Sequence, residues 1–338
     1  MEEVNYNPRR IIPFLALLFA SLGLARPGQA EPALVVESRI PLLAVSGRID
    51  HMAVDPVRKR LFVAEIGNNS LDVVDLAAGR QTQRISGLSE PQGVGYAPQA
   101  DLVAVASGGD GSVRFYRSAA LTPAGAVMLG SDADDVRIDP RTGNIVVGYG
   151  SGALAIIDPN TRERIGDVRF AAHPEGFSID PATGRAFVNV PDAGQISVVD
   201  LPSRRQTAAW KFSELRGNFP IALDAAGMAL ATVFRRPPQL VLVDTRTGAA
   251  TAQLSACGDA DDVFFDPKRR RIYVSCGAGA VDVFEAGPTG AYSRLSRIET
   301  AAGARTALFV PELDRLFVAA RAGLLRSDAT VLVLRPVP

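Results

Sequence analysis

Short apolar stretches alternate with polar turns along most of this chain. In residues 47–76, an apolar run ends in Asp-Pro, a charged turn follows, and a Gly/Asn turn separates two further apolar runs: GRIDHMAVDPVRKRLFVAEIGNNSLDVVDL. Runs rich in Val, Ile, Phe and Leu between such turns are typical of antiparallel strands in a meander. One such unit leaves an apolar face that it cannot bury by itself, so the pattern predicts that several copies pack together.

The same unit occurs seven times. The turn after its first run recurs at positions 56, 98, 140, 181, 225, 267 and 311, so the copies are 41 to 44 residues apart. Second runs such as LVAVAS and RIYVSC and third runs such as ISVVD and LVLVD follow these turns. A period in the low forties with four strands per repeat is typical of a β-propeller. The sequence therefore predicts an all-β fold, a seven-bladed β-propeller of four-stranded antiparallel blades.

The two ends of the repeat region complement each other. Residues 33–43, ALVVESRIPLL, have the pattern of a fourth strand but precede the first repeat, whereas the last repeat stops after its third run at 331–334. We expect the N-terminal run to supply the outer strand of the seventh blade. That pairing would close the ring and remove its open edges.

The first 30 residues do not fit the repeat. Arg9 and Arg10 precede the apolar run IIPFLALLFASLGLA, and Pro-Gly-Gln-Ala follows it. This order is typical of an export signal, and the run is shorter than the roughly 20 residues that a spanning helix needs. We expect residues 1–30 to be a cleaved signal peptide and residues 31–338 to be one propeller domain. The mature protein would then be periplasmic or secreted, with no membrane span.

Charge and motifs exclude several classes of function. The formal net charge is zero and no basic block occurs, which argues against a nucleic-acid partner. The chain also lacks a Gly-x-Ser-x-Gly nucleophile elbow, a Cys-x-x-Cys-His haem motif and a phosphate-binding Gly loop. We expect a monomer that binds an unknown small ligand or a periplasmic protein.

The repeat LFVAEIGNNSLDVVDL, with related runs at 186–201 and 240–245, resembles the repeats of the YncE-like, YVTN-repeat family of exported bacterial propellers. The resemblance extends over about residues 33–338. It implies a seven-bladed ring in the bacterial envelope. Relatives of that family include lactonase-like propellers, but no catalytic motif of theirs is matched in this chain.

Polar positions recur in the loops that lead into the first strand of each blade. In a propeller these loops gather at one end of the central channel, here called the channel mouth, where ligands usually bind. The loop GSDADDV at 130–136 returns as CGDADDV at 257–263, and both histidines of the chain lie in loops of this set. The predicted ligand-binding residues are Asp50, His51, Gln92, Asp134, Asp135, His173, Glu175, Asn218, Arg235, Arg236, Asp261, Asp262 and Arg305.

Four of these residues are also candidates for a metal site. Asp134, Asp135, His173 and Glu175 belong to the neighbouring third and fourth blades, and mixed oxygen and nitrogen ligands suit Ca²⁺, Mn²⁺ or Zn²⁺. No cofactor is otherwise indicated. The alternative is that these acids bind turn backbones through side-chain hydrogen bonds.

Other acids recur from blade to blade, in five of the seven repeats, which is typical of turn residues and not of a single site. Acids of this kind precede the turn after the first run or end the third run: Asp55, Asp139, Asp180, Asp224 and Asp266, and Asp75, Asp158, Asp200 and Asp244. We expect them to be structural.

Arg235 and Arg236 precede two prolines in the loop between the second and third runs of the fifth blade. With Asn218 nearby, they would give the channel mouth a positive sector suited to a zwitterionic or carboxylate ligand. A solvated loop stiffened by the prolines is the alternative.

The two cysteines, Cys257 and Cys276, precede the first strand and end the second strand of the sixth blade. Such positions lie near the same face of a sheet, and export permits oxidation, so we expect a disulfide. Two buried free thiols are the alternative.

Two functional hypotheses follow. The first is a non-catalytic binding or scaffold protein that uses the channel mouth. The second is a metal-dependent hydrolase or lactonase-like enzyme with an acid-lined mouth.

Overall fold

Seven four-stranded antiparallel sheets form the blades of a closed ring. The computed structural model describes residues 1–3, 32–224, 226–323 and 328–338. Each blade begins with a strand that lines the central channel and ends with a strand at the periphery. The predicted all-β, seven-bladed propeller is thus confirmed. The predicted signal peptide, apart from residues 1–3, and the turn position 225 lie outside the described residues.

The strands follow one another in chain order. The first described strand and the first blade are β1 (Leu34–Leu42), β2 (Met52–Asp55), β3 (Arg60–Glu65), β4 (Ser70–Asp75) and β5 (Arg80–Ser86). The second and third blades are β6 (Pro91–Ala97), β7 (Leu102–Ser107), β8 (Ser112–Arg117), β9 (Thr122–Met128), β10 (Ala133–Ile138), β11 (Ile145–Tyr149), β12 (Ala153–Asp158) and β13 (Glu163–Arg169).

The remaining blades continue the series. The fourth and fifth are β14 (Phe177–Ile179), β15 (Arg185–Val190), β16 (Gln195–Asp200), β17 (Arg205–Lys211), β18 (Arg216–Leu223), β19 (Ala229–Arg236), β20 (Pro238–Asp244) and β21 (Ala250–Ser255). The sixth and seventh are β22 (Ala260–Asp266), β23 (Arg271–Cys276), β24 (Ala280–Ala286), β25 (Tyr292–Glu299), β26 (Ala307–Val310), β27 (Arg315–Ala320) and β28 (Ala329–Pro336). Short 3₁₀ turns occupy Ile66–Asn68, Pro191–Ala193 and Pro311–Leu313.

The core lies between the blades. The second strands are continuous apolar runs because both faces are covered by neighbouring blades; every residue of β7 is buried, for example. The outer strands, such as β5 and β9, are polar and largely exposed. Each of the seven interfaces between successive blades holds its own apolar cluster. Each blade therefore depends on both of its neighbours to bury its faces.

The ring closes through the N-terminal strand. β1 pairs antiparallel with β28, from Leu34 opposite Pro336 to Leu42 opposite Ala329, and becomes the outer strand of the seventh blade. Ile40 and Leu42 are buried there in the cluster shared with the first blade. The predicted closure is confirmed.

The recurrent acids bind turn backbones as expected. Asp55 Oδ1 accepts hydrogen bonds from the amides of Val57 and Arg58, at 3.1 and 3.0 Å. Asp180 Oδ1 accepts one from the Ala182 amide at 2.9 Å. The same contact recurs at Asp75, Asp139, Asp158, Asp200, Asp224, Asp244 and Asp266.

Cys257 and Cys276 are joined by a disulfide, the pairing that the sequence predicts, with their Cα atoms 5.8 Å apart. Both residues are buried in the cluster between the fifth and sixth blades. Within the described part of the chain, no helix is long and apolar enough to cross a membrane.

Candidate functional site

A channel of about 920 Å³ runs through the ring. First strands contribute its walls because they are the innermost strand of every blade. Polar and apolar atoms contribute about equally to the wall, and Val94, Val136 and Val263 are among its apolar side chains. Charged side chains concentrate at the loops that lead into these strands, so the channel mouth is where the charge lies.

At the centre of the mouth, the carboxylate of Asp134 lies between two imidazoles. Its Oδ1 is 3.6 Å from Nε2 of His51, and its Oδ2 is 3.8 Å from Nε2 of His173. Nδ1 of His173 lies 2.6 Å from the Gly150 carbonyl oxygen, to which it donates, and this contact turns Nε2 towards Asp134. Asp134 is only 8% exposed. Its Oδ1 has no hydrogen-bond partner among the described residues.

Asp134 and the two histidines each stabilise the charged form of their partner. Burial alone would lower the pKa of His173, but Asp134, the Gly150 carbonyl and Asp132 raise it to about 9. Burial opposes the charge of His51 too, yet Asp135, Asp134 and Asp50 raise its pKa well above the usual value. Burial alone would raise the pKa of Asp134, but the two imidazoles lower it. The carboxylate between the two imidazoles therefore favours their protonated forms, and they favour its ionised form.

Three other acids at the mouth have raised pKa values, so their surroundings favour the neutral carboxylic acid. Burial and repulsion from Asp134 raise the pKa of Glu175 to about 7. Burial raises the pKa of Asp50 to about 7, although His51 opposes the shift, and burial raises that of Asp262 to about 8. Raised pKa values of this kind are common at functional sites.

An arginine cluster lies on the fifth to seventh blades. Nη2 of Arg235 lies 2.5 Å from Asp261, and Nε of Arg305 lies 2.9 Å from the other oxygen of that carboxylate. Both arginines also lie 3.2 Å from Asp259. The guanidinium of Arg235 stacks on the Phe219 ring, 3.8 Å from its centroid. Since both arginines are paired with acids, the predicted positive sector is neutralised.

In the repeated Asp-Asp loops, the two acids have different roles. All four acids line the channel, and the first of each pair, Asp134 or Asp261, is ion-paired with cationic side chains of the mouth. The second bonds to the next blade: Asp135 accepts from the Phe177 amide at 3.3 Å, and Asp262 accepts from the Ala307 amide at 2.7 Å. The backbone-binding interpretation therefore holds for the second acid of each pair.

Two predicted site residues lie away from the channel. Asn218 is fully buried and donates to Asn189 Oδ1 at 2.8 Å and to the Gln195 carbonyl at 3.0 Å, so it ties strands together. Arg236 is exposed at the end of β19, opposite Arg216, and does not line the channel. Strand alternation explains the second error, because Arg235 points inward and its neighbour must point outward.

The predicted metal ligands are not gathered around a common point. No group of three or more His, Cys, Asp and Glu in the described ranges is positioned to hold a metal ion. Asp135 is occupied by Arg137 and by the Phe177 amide. The arrangement of Asp134, Asp135, His173 and Glu175 therefore does not fit the proposed metal.

The structure brings the other predicted residues together at the mouth, Gln92 included, and adds some that the sequence analysis did not select. Gln92 Nε2 donates to Asp132 Oδ1 at 3.3 Å, and Arg48 pairs with Asp50 at 2.9 Å. Asp132 belongs to the repeated loop, which could have identified it. Phe219 occupies in its repeat the position of Asp134, six residues before the turn, whereas nothing in the sequence marks Arg48.

Fold and site define a seven-bladed propeller with a central channel and a polar, charged channel mouth. No protein-family model and no curated protein matches the chain. Among solved structures it is similar to Kuenenia stuttgartiensis hydrazine synthase, with a TM-score of 0.75 and 16% identity over 86% of this chain and 97% of that chain. It is also similar to a chain of a mitotic checkpoint complex, with a TM-score of 0.77 and 14% identity over 97% and 99% of the two chains. At such identities the similarity shows the propeller fold alone.

Proposed function

We propose that this protein is a ligand-binding propeller that takes a small molecule into its channel mouth. One observation carries the proposal. The side chain of Glu175 lies at the opening of the channel without a hydrogen bond or ion pair to any described residue. A half-buried acid without a partner is costly to the fold, and a bound ligand would supply that partner.

We further propose that the protein works as a monomer in the periplasm or outside the cell. The disulfide supports this location, because such bonds persist in oxidising compartments. The signal-like N-terminus and the resemblance to YncE-like repeats support it as well. A metal-dependent hydrolase is not proposed, since the acids and histidines of the mouth are not placed as a ligand set.

Blocking the channel mouth with a large side chain tests the proposal whatever the chemistry of the ligand. The purified protein is screened by thermal unfolding against small cations, anions and neutral molecules, and stabilising compounds are confirmed by calorimetric titration. Glu175→Trp fills the opening, whereas Glu163→Trp puts the same side chain on the exposed face of β13. We expect compounds that bind the wild type and the Glu163 variant but not the Glu175 variant. Binding that survives the blocked mouth, or no binding at all, would overturn the proposal.

A further inference from the structure

A small pocket lies beside the channel mouth, where the loops of the sixth, seventh and first blades meet. Its volume is about 110 Å³, and its charged lining consists of three arginines and one acid: Arg48, Arg305, Arg321 and Asp259. Arg48 and Arg305 also line the channel, so this pocket, here called the rim pocket, adjoins the mouth. A molecule bound in the mouth can therefore place one of its groups in the rim pocket.

The arginines in and around the rim pocket outnumber the acids. Three carboxylates pair with three arginines there: Asp50 with Arg48, Asp261 with Arg235 and Arg305, and Asp259 with the same two arginines. The fourth arginine, Arg321, is exposed and has no ion pair or hydrogen bond to any described residue. Four arginines thus face three carboxylates, which leaves one positive charge without a partner.

The repeat explains why Arg321 lacks an acid. Arg235 and Arg321 both stand ten residues after the turn of their blade, at 225 and 311. Arg235 pairs at 3.2 Å with Asp259, which stands eight residues before the turn at 267 in the next blade. In the blade that follows Arg321, the same position, eight residues before the turn at 56, holds Arg48. An arginine therefore replaces the acid that the fifth and sixth blades provide.

Backbone contacts show that Arg48 and Asp259 are equivalent in the structure as well as in the repeat. The carbonyl oxygen of Arg48 accepts a hydrogen bond from the Gly67 amide at 3.0 Å, and that of Asp259 accepts one from the Gly277 amide at 2.8 Å. Both amides belong to the loop between the second and third strands of the same blade. The exchange of Asp for Arg thus reverses the charge at one defined place.

The guanidinium group of Arg321 packs against the backbone of Gly303. A Cβ atom on Gly303 would lie 2.5 Å from Nε and 2.8 Å from Cζ of Arg321, which is closer than side chains allow. Gly303 also has a φ of +80°, in the region that favours glycine. A glycine at this position therefore makes room for Arg321 at the edge of the rim pocket.

We propose that the ligand of the channel mouth is an organic anion whose carboxylate or phosphate group binds in the rim pocket. The inference rests on the proposed function and specifies its ligand class. The anionic group would lie between Arg321 and Arg48, and would supply the negative charge that Asp259 supplies to Arg235. Guanidinium groups bind carboxylate and phosphate oxygens in a bidentate manner, whereas an ammonium group would be repelled.

The test compares probes that share a phenyl ring and differ in charge. Phenylacetate and phenyl phosphate are titrated calorimetrically into the protein at low ionic strength, beside 2-phenylethanol and 2-phenylethylamine. We expect an anion to bind about tenfold more tightly than the alcohol and the amine, a difference of about 1.4 kcal/mol. The tighter of the two anions identifies the oxyanion. Added NaCl should weaken anion binding, because salt screens the attraction between charges.

Variants locate the anion. Arg321→Gln should weaken anion binding about tenfold and leave the melting midpoint unchanged, since Arg321 is exposed and without a partner among the described residues. The matched control is Arg236→Gln, which removes the same charge from an exposed arginine that lines neither the channel nor the rim pocket. It should leave anion binding unchanged.

The outcomes separate this inference from the proposed function. If the alcohol or the amine binds as tightly as the anions, or if Arg321→Gln leaves anion binding unchanged, the inference falls, and Glu175→Trp still decides the proposed function. Anion binding that Arg321→Gln weakens but Glu175→Trp leaves intact would support the rim pocket and overturn the proposed function. If no probe binds, both fall.

Discussion

Oδ2 of Asp134 faces Nε2 of His173 at 3.8 Å, and this pair joins the third blade to the loop that leads into the fourth. The hydrogen bond from its Nδ1 to the Gly150 carbonyl orients the imidazole towards Asp134. The Asp134 carboxylate therefore has two roles. It lines the channel, and it neutralises positive charge that the fold has largely removed from water.

The first prediction separates Asp134 from Glu175. Asp134→Asn should lower the free energy of unfolding by about 2 kcal/mol, because it leaves two partly buried imidazoles without their anion. Glu175→Gln should change it by less than about 0.5 kcal/mol or raise it, because that carboxyl has no partner and is repelled by other acids. Urea unfolding at pH 7 measures both. Equal losses in the two variants would contradict this division of roles.

The propeller itself could be predicted from the sequence because its repeats are local. Turn acids such as Asp55 and Asp180 occupy the same place in five of the seven blades and bind amides of the turn that follows. Each second strand is a continuous apolar run because both of its faces are covered. These signals need no knowledge of distant contacts.

The orientation of the mouth acids could not be predicted, because the first strands contain bulges. The register of β10 with β11 shifts between Ala133 and Val136, and that of β22 with β23 shifts between Ala260 and Asp262. An extra residue reverses which side chains face the channel. Alternation alone therefore could not show that Asp134 pairs with the two histidines of the mouth while Asp135 binds the next blade.

The second prediction concerns arginines that bridge successive blades. Arg269 reaches Asp266 in its own turn at 3.0 Å and Asp314 in the next blade at 2.6 Å, and its side chain is 9% exposed. Arg58 makes the same bridge to Asp55 and Asp101, both at 2.7 Å, but is 33% exposed. Arg269→Ala should lower the free energy of unfolding by about 2 to 3 kcal/mol, and Arg58→Ala by clearly less, since water screens the exposed pair. Urea unfolding of both variants checks the order, and a larger loss for Arg58→Ala would refute it.

The third prediction addresses ring closure. Deleting residues 34–42 removes β1, which exposes the edge of β28 and uncovers part of the cluster between the seventh and first blades. We expect an aggregating or strongly destabilised protein. The control is a deletion of residues 2–3, which leaves β1 intact. A truncated chain that melts like the control would show that closure does not depend on this strand.

The fourth prediction concerns the disulfide, which closes a loop with a sequence separation of 19 residues. The double variant Cys257→Ala, Cys276→Ala should lose about 3 kcal/mol of unfolding free energy on the chain-entropy model. Dithiothreitol should destabilise the wild type by a similar amount and leave the double variant unaffected. A reductant effect on the double variant would point to a cause other than this bond.

The last prediction is a fall in stability as pH rises from 5 to 9.5. His173 has a folded pKa of about 9 against 6.5 for a free imidazole, so its stabilising contribution is complete below pH 6.5 and is lost as pH rises through 9. Glu175, with a folded pKa of about 7 against 4.5, favours the folded state when protonated, and that contribution is lost as pH rises through 7. Both groups bind protons more tightly in the folded chain, so their effects add. We expect Glu175→Gln to flatten the melting-temperature profile between pH 5 and 7 and His173→Gln to flatten it between pH 7 and 9, while Glu163→Gln keeps the wild-type slope. A wild-type melting temperature that stays level or rises across this range would show that the imidazoles and acids of the mouth are not coupled as their geometry indicates.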